Sequence, residues 1–477
     1  MSSLKIAGKK VLVIGAARSG IASAKFLAQR GATVALNDAK PVDQWSPNAV
    51  GLKGEGIGCL AGEIPGWLLD QLELVIVSPG VPTKSIPIRY AERAGAEVIG
   101  EVELAARFLK GRLVAITGSN GKTTTTTLVG EILKDAGLRT QVGGNIGTPL
   151  ISMVESSSED GWTVAEVSSF QLETIKEFRP NVAAVLNVTP NHMDRYDSFL
   201  DYAAAKHRIF MSQDAGDVAI LNADDEIVSG WSSGLRAHVV KFSVQKVLEE
   251  GLFLRGRDIV SASGGQEKIL MTRDDMKLRG LHNVENMMAA LAVGLACGAS
   301  PESMRATISK FQPVEHRLEF VSEIDGVKFY NDSKATSVDA TLKALEAFAD
   351  DDSGKVVLIL GGRGKKAPYA PLESLVKQTV SKLILIGEDA DTIANELGSY
   401  APNERATDMG DAVGRAFAAA SLGDTVLLAP ACASFDMFES FEHRGRVFKQ
   451  EVSSLKSRVS SSSTEPQTLN SKLETSS

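Results

Sequence analysis

The run Ile116-Thr117-Gly118-Ser119-Asn120-Gly121-Lys122-Thr123-Thr124 carries the most specific chemistry in the chain. It follows the apolar stretch Arg112-Leu113-Val114-Ala115, so a buried strand empties into a glycine-bearing turn that ends in Lys-Thr and opens a helix. Such a turn aims backbone N–H groups and a helix N-terminus at anionic oxygens, which is the geometry of a phosphate cradle. There Lys122 would pair with β/γ-phosphates and the Thr123 hydroxyl would face Mg²⁺. The general pattern wants a further glycine where Ile116 stands, so this is the shorter form G-x-x-G-K-T-T. Taken alone, the loop also fits a plain Gly/Ser/Asn turn before an ordinary helix.

Three more side chains could join it. Glu166 lies in the strand Trp162-Thr163-Val164-Ala165-Glu166-Val167, where a carboxylate among apolar neighbours demands a partner, either a buried cation or a metal. His192, in Asn191-His192-Met193-Asp194-Arg195, follows the buried strand from Val182 to Val188, and Lys206 lies on a helix from about Ser198. With Thr123 these make a candidate pair of Mg²⁺ positions. A lysine ammonium repels a cation, so Lys206 could hold metal only if chemically altered.

These residues need scaffolds on three sides. Residues 9–100 predict a small doubly wound unit: strand Lys10–Ile14, turn Gly15-Ala16-Ala17-Arg18-Ser19-Gly20, a helix, and strand Ala32–Leu36 ending at Asn37-Asp38. This approximates a dinucleotide fingerprint, but Ala17 replaces the glycine that lets a pyrophosphate approach the backbone. A nucleoside diphosphate on a substrate could use the same turn and Asp38. Leu74–Val77 is a further strand feeding Ser78-Pro79-Gly80 at the carboxyl edge of that sheet, where ligands of open α/β sheets bind. Residues 217–277 read as a peripheral antiparallel excursion of the middle region. Four buried strands, at 327–330, 356–360, 383–386 and 425–428, alternate with helices to give another open parallel sheet. Their loops bear Asn331-Asp332-Ser333-Lys334-Ala335-Thr336, Gly361-Gly362-Arg363-Gly364-Lys365 and Ala431-Cys432-Ala433-Ser434.

The expected organisation is α/β with three domains: a Rossmann-like domain over 1–100, a central P-loop ATPase-like domain over 101–312, a C-terminal Rossmann-like domain over 313–452, and a disordered serine-rich tail over 453–477. The chain has 477 residues, 43% of them hydrophobic and 23% charged, the balance of a soluble protein of about three domains. No apolar run is long enough to span a bilayer and the first residues lack a leader's apolar core, so a cytoplasmic protein without a membrane partner is expected. A net charge of −8 disfavours a nucleic-acid partner. Cys59, Cys297 and Cys432 stand far apart in no metal-type spacing, as in a reduced compartment.

The cradle, Gly144-Asn145-Ile146-Gly147, Asn191 to Arg195, Lys206, His282-Asn283 to Asn286 and His316-Arg317 together resemble the Mur ligases and folylpolyglutamate synthetases. Asn331 to Thr336, Ala431-Cys432-Ala433-Ser434-Phe435-Asp436 and Phe441-Glu442-His443-Arg444-Gly445 resemble the branch of that superfamily that adds D-glutamate. The resemblance implies ATP-dependent amide synthesis between UDP-MurNAc-L-alanine and D-glutamate, by a monomer using ATP and two Mg²⁺ sites. Gly118, Ser119, Asn120, Gly121, Lys122, Thr123 and Thr124 would cradle ATP, with Asn286, Arg317 and Asp332 fixing adenine, ribose and phosphate. Thr123 and Glu166 would hold one Mg²⁺, His192 and a carbamylated Lys206 the other, with Lys122, His192 and Lys206 as the catalytic set. Ser19, Asp38, Ser78 and Asn145 would take the UDP-substrate, and Lys334, Thr336, Lys365, Ser434 and Phe441 the D-glutamate. Arg363 stands where the family commonly has an acidic residue, Ser337 where Asn is usual, and Ala39 where a hydroxyl residue is common.

Overall fold

A computed structural model of the chain describes residues 4–191, 193, 195–276, 280–312, 315–349, 354–365 and 367–462. Among these, the strands gather into three sheets within two compact units, the first unit holding two sheets and the second holding one.

The first sheet contains β1 (Lys10–Ile14), β2 (Thr33–Asp38), β3 (Gly58–Ala61), β4 (Leu74–Val77) and β5 (Glu97–Gly100) in the order β3-β2-β1-β4-β5. Every pairing is parallel. Both faces of β1 and β4 are buried, which their continuous apolar sequences require. Gly15 leaves β1 at a φ of 104°, and a Cβ on Gly20 would overlap the Gly15 carbonyl. Only glycine lets the helix Arg18–Gln29 approach the strand so closely.

The helix Glu101–Ala106 links this sheet to the next and is buried along its whole length. Val102, Leu104, Ala105 and Ala106 join one apolar core shared by the two sheets. The Glu103 carboxylate accepts the N–H groups of Lys176 at 2.9 Å, Glu177 at 3.0 Å and Phe178 at 2.9 Å, and pairs with Arg107 at 2.8 Å. A fully buried carboxylate so satisfied anchors the link to the turn at 176–178.

The second sheet comprises β6 (Arg112–Thr117), β7 (Thr140–Gly144), β8 (Trp162–Glu166), β9 (Val182–Val185), β10 (Val218–Asn222), β11 (His238–Ser243), β12 (Gly251–Arg255), β13 (Asp258–Ser263) and β14 (Gln266–Thr272). Their order is β14-β13-β12-β11-β10-β9-β6-β8-β7. The antiparallel excursion expected over 217–277 is therefore smaller than its sequence implied. β10 and β11 continue the parallel sheet, and β12 runs parallel to β11. The connection through the helix Glu226–Gly230 is long enough for a crossover, whereas the tight turns on either side of β13 permit only antiparallel pairing.

The second unit carries β15 (Glu319–Ile324), β16 (Val327–Asn331), β17 (Val356–Gly361), β18 (Val380–Ile386), β19 (Asn403–Arg405) and β20 (Thr425–Leu428), ordered β15-β16-β20-β17-β18-β19. The four expected parallel strands form its centre. β15, antiparallel to β16, and the short β19 close its edges, where polar residues such as Glu319, Glu323, Asn403 and Arg405 hide the strand signal.

The helix Phe441–Ser462 corrects the tail boundary: residues 453–462 are helical. Phe448, Val452 and Leu455 are buried and Val459 packs beside them, so one apolar stripe docks this serine-rich segment on the third sheet's core. Residues 463–477 lie outside the described residues. Among the described residues, no helix is long and apolar enough to cross a membrane.

Candidate active site

The turn after β6 is built around positions that exclude a side chain. Gly121 has a φ of 81°, and a Cβ there would overlap Oδ1 of Asn286 from the helix Leu281–Ala296. The helix Lys122–Asp135 begins immediately after it. Asn120 N–H donates to Asn187 Oδ1 at 2.8 Å, and Ser119 Oγ bonds the Thr189 carbonyl at 2.9 Å and the Tyr202 hydroxyl at 2.9 Å. The loop is thereby fixed from the ends of β9 and the helix Phe199–His207. Lys122 Nζ donates to the carbonyls of Gly118 at 2.8 Å and Ser119 at 2.9 Å. Thr124 is buried within the first turn.

Beside the turn, the Thr123 hydroxyl donates to Glu166 Oε2 at 2.9 Å, and Asn145 Nδ2 donates to Oε1 of the same carboxylate at 2.8 Å. Glu166 ends β8 and is only 2% exposed. Gly144 carries the chain across it at a φ of 105°, where a Cβ would overlap the Glu166 carbonyl. A buried carboxylate with a hydroxyl at hand offers the hard oxygen donors that Mg²⁺ takes.

Lys206 is 1% exposed, donates to the Gly118 carbonyl at 2.8 Å and lies 4.6 Å from the Tyr202 ring centre. Burial, reinforced by the Lys122 charge and opposed by Glu166, holds its amine well below the ordinary lysine range. His192 lies outside the described residues.

The first sheet's candidates gather at one turn. Asp38 accepts the N–H groups of Ala16 at 2.8 Å and Lys40 at 3.0 Å, Ser78 donates to the Gly15 carbonyl at 3.2 Å, and Ser19 sits in the first turn of the adjoining helix. Arg18 Nη1 donates to the Gly147 carbonyl, tying this turn to the loop that bears Asn145.

In the second unit, Lys334 Nζ stands 3.8 Å from the Phe441 ring centre and Lys365 Nζ donates to the Thr336 hydroxyl at 3.5 Å. Ser434 is buried, and the neighbouring Ala433 bridges to Arg363 through paired backbone hydrogen bonds. Arg363 itself forms a bidentate pair with Glu388 at 3.0 and 2.8 Å. His316 at a φ of 66° and Leu318 at 42° flank Arg317, left-handed conformations that store backbone strain beside it. The Asp332 carboxyl is pushed up to about 7, by burial above all, against the opposing pull of Arg317 and the Leu318 N–H.

Two residues with structural command of these loops had no role assigned from sequence. Arg444 is fully buried and donates to Ser333 Oγ at 3.0 Å, the Ser333 carbonyl at 2.9 Å and the Cys432 carbonyl at 3.1 Å, so it joins the Lys334 and Ser434 loops. Asn187, which holds Asn120, was hidden at the end of an apolar strand. A polar residue closing such a strand was its one signal.

Three domain families match the chain in order: the MurD-like N-terminal domain of Mur ligases over residues 9–100, the Mur ligase middle domain over 116–294, and the Mur ligase glutamate ligase domain over 316–432. The chain belongs to the Mur ligase family. Its relatives include the UDP-N-acetylmuramoylalanine--D-glutamate ligase of Solibacter usitatus, 49% identical over 95% of this chain and 99% of that protein. The ligase of the same name from Koribacter versatilis is 47% identical over 94% and 98%. Among solved Mur ligases, UDP-N-acetylmuramate-alanine ligase MurC from Thermotoga maritima superposes with a TM-score of 0.57 at 20% identity, covering 94% of this chain and 100% of that one. A pseudomurein peptide ligase type C from Methanothermus fervidus gives 0.59 at 17% identity, with the same coverage. This Mur ligase thus shares its three-domain α/β fold with both.

Proposed function

We propose that this Mur ligase joins D-glutamate to UDP-N-acetylmuramoyl-L-alanine with cleavage of ATP to ADP and phosphate, as a cytoplasmic step of peptidoglycan precursor synthesis. The observation that carries the reading is near-full-length identity of 44–49% to relatives that bear that name. The substrate carboxylate takes the γ-phosphoryl group, and the amine of D-glutamate then displaces phosphate through a tetrahedral intermediate. Both steps bring anions together, so cations and N–H donors must neutralise the developing charge.

The division of labour follows the three proposed domains, 1–100, 101–312 and 313–452. Ser19, Asp38 and Ser78 receive the uridine diphosphate, and Asn145 meets the substrate near the metal. Backbone amides from Gly118 to Thr124 cradle the triphosphate, Lys122 neutralises its outer phosphates, and Asn286, Arg317 and Asp332 take the rest of the nucleotide. Thr123 and Glu166 hold one Mg²⁺, and Lys206 with His192 holds a second. When bound, the two ions draw negative charge away from the phosphoryl group under attack. Lys206 can serve there as a carbamate: its desolvated amine adds to CO₂, releases one proton and becomes an anionic oxygen ligand. Lys334, Thr336, Lys365, Ser434 and Phe441 receive D-glutamate, whose carboxylates suit lysine and hydroxyl donors.

Phosphate release measured with ATP, UDP-MurNAc-L-alanine and a panel of amino acids tests the reading. D-glutamate should support turnover that L-alanine, L-glutamate and diaminopimelate do not. Equal release with another amino acid would assign the chain to a sister reaction.

A further inference from the structure

Strands β6, β8 and β7 lie side by side, with Arg112, Trp162 and Thr140 in register at their amino ends and Ile116, Glu166 and Gly144 in register at the other. Four residue steps of about 3.3 Å place this amino edge roughly 13 Å from the Glu166 position. Two cavities open there, of about 260 and 300 Å³, and they share Lys110 and Thr163. Arg112, Arg179 and Asn181 line the first, while Arg139, Gln141 and Trp162 line the second. Neither lining contains a carboxylate.

The chemistry of these walls is that of an anion receptor. Asn181 spends its Oδ1 on the Leu113 N–H at 2.9 Å, leaving its amide nitrogen as a donor. The acids that offset Arg179 and Arg139 sit outside the linings: Asp214 at 2.7 Å and Asp217 at 2.8 Å for Arg179, and Asp160 at 3.5 Å for Arg139. Arg112 lies with its guanidinium 4.2 Å from the Trp162 ring centre. The Trp162 Nε1–H is closed to solvent and has no acceptor among the described residues, so its resonance reports on packing at this edge rather than on a direct bond to an occupant. The floor between the cavities is rigid, because Gly111 at a φ of 77° packs against the carbonyls of Ser158 and Gly161, where a Cβ would overlap both.

We propose that this amino edge binds a small molecule with two anionic groups, phosphates or carboxylates, one in each cavity with Lys110 between them. The site is separate from the ATP cradle. It sits where the link between the first two sheets enters β6, so its occupant braces that link. No residue here belongs to the reaction assigned above, and the site stands or falls independently of it.

The test is the ¹⁵N–¹H cross-peak of the Trp162 indole in the full-length protein, assigned with Trp162→Phe and titrated in metal-free buffer with inorganic pyrophosphate and, separately, citrate. A saturable shift that persists in Lys122→Ala and weakens by about tenfold in Lys110→Gln and in Arg112→Gln, the loss of one charge-assisted contact, is expected. Response to pyrophosphate alone selects phosphates, to citrate alone carboxylates, and to both a general bis-anion site. A peak that neither probe moves overturns the proposal. So does a shift abolished by Lys122→Ala, or one equally strong in both cavity variants.

Discussion

The side-chain nitrogens of Lys122 and Lys206 converge on one acceptor, the Gly118 carbonyl oxygen, each at 2.8 Å. Two amines on one oxygen cannot both carry charge cheaply, and the more buried of them is biased toward its neutral form. Lys122, the proposed phosphate-binding cation, therefore stands beside a lysine biased toward its neutral amine.

For Lys122 the consequence is a loss of transition-state charge neutralisation. Lys122→Ala should lower kcat by about three orders of magnitude or more while leaving the far-ultraviolet circular dichroism and melting temperature near those of the parent. Steady-state phosphate release checks it, and near-native turnover would refute the assignment.

Lys206 makes a separable prediction. Protein equilibrated with ¹³C-bicarbonate should show a carbamate carbon resonance that is absent in Lys206→Arg, and that variant should lose turnover. A parent protein that is fully active with no such resonance would exclude the carbamate.

Glu101 offers a pH signature in the link between the first two sheets. Its carboxyl is pushed up from 4.5 to about 7, chiefly by burial, with the backbone N–H groups of Ile151 and Leu150 opposing. The folded value lies above the unfolded one, so the folded chain binds this proton more tightly between those values and stability falls as pH rises through that window. The loss is on the order of 3 kcal/mol once pH exceeds 7. Urea midpoints at pH 5 and pH 8 should differ less in Glu101→Gln than in the parent.

Asp332 should show its pH dependence in nucleotide binding, beyond the loss of folding stability that its raised pKa brings as pH rises. Its carboxyl titrates near 7, pushed there by burial, and only the ionised form is a pure acceptor for ribose hydroxyls. The KM for ATP should rise as pH falls from 8 to 6, and Asp332→Asn should flatten that dependence. An unchanged slope in the variant would remove Asp332 from the nucleotide site.

The sequence made the central turns legible because their chemistry needs particular residues at close spacing. Gly121 and Gly144 hold positive φ values, Lys122 and Thr123 open the helix that follows one apolar strand, and Glu166 ends another. Less legible were features decided by distant partners. β10 and β11 read as periphery because nothing local reveals that Val218–Asn222 pairs with Val182–Val185. The last turns of the helix Phe441–Ser462 read as structureless because three apolar residues suffice to dock a serine-rich stretch once a sheet is present. Arg444 escaped assignment for the same reason: its three acceptors lie on loops far from it in sequence.

In the proposed reaction, ATP held at the turn after β6 activates a carboxyl group for attack by an amine. This step is tested most directly with UDP-MurNAc-L-alanine labelled with ¹⁸O in its free carboxylate, turned over with ATP and D-glutamate, and the released phosphate analysed by mass spectrometry. Activation by phosphoryl transfer moves one carboxylate oxygen into each phosphate, so singly labelled phosphate is the expected product. Unlabelled phosphate accompanying normal amide formation would exclude an acyl-phosphate intermediate.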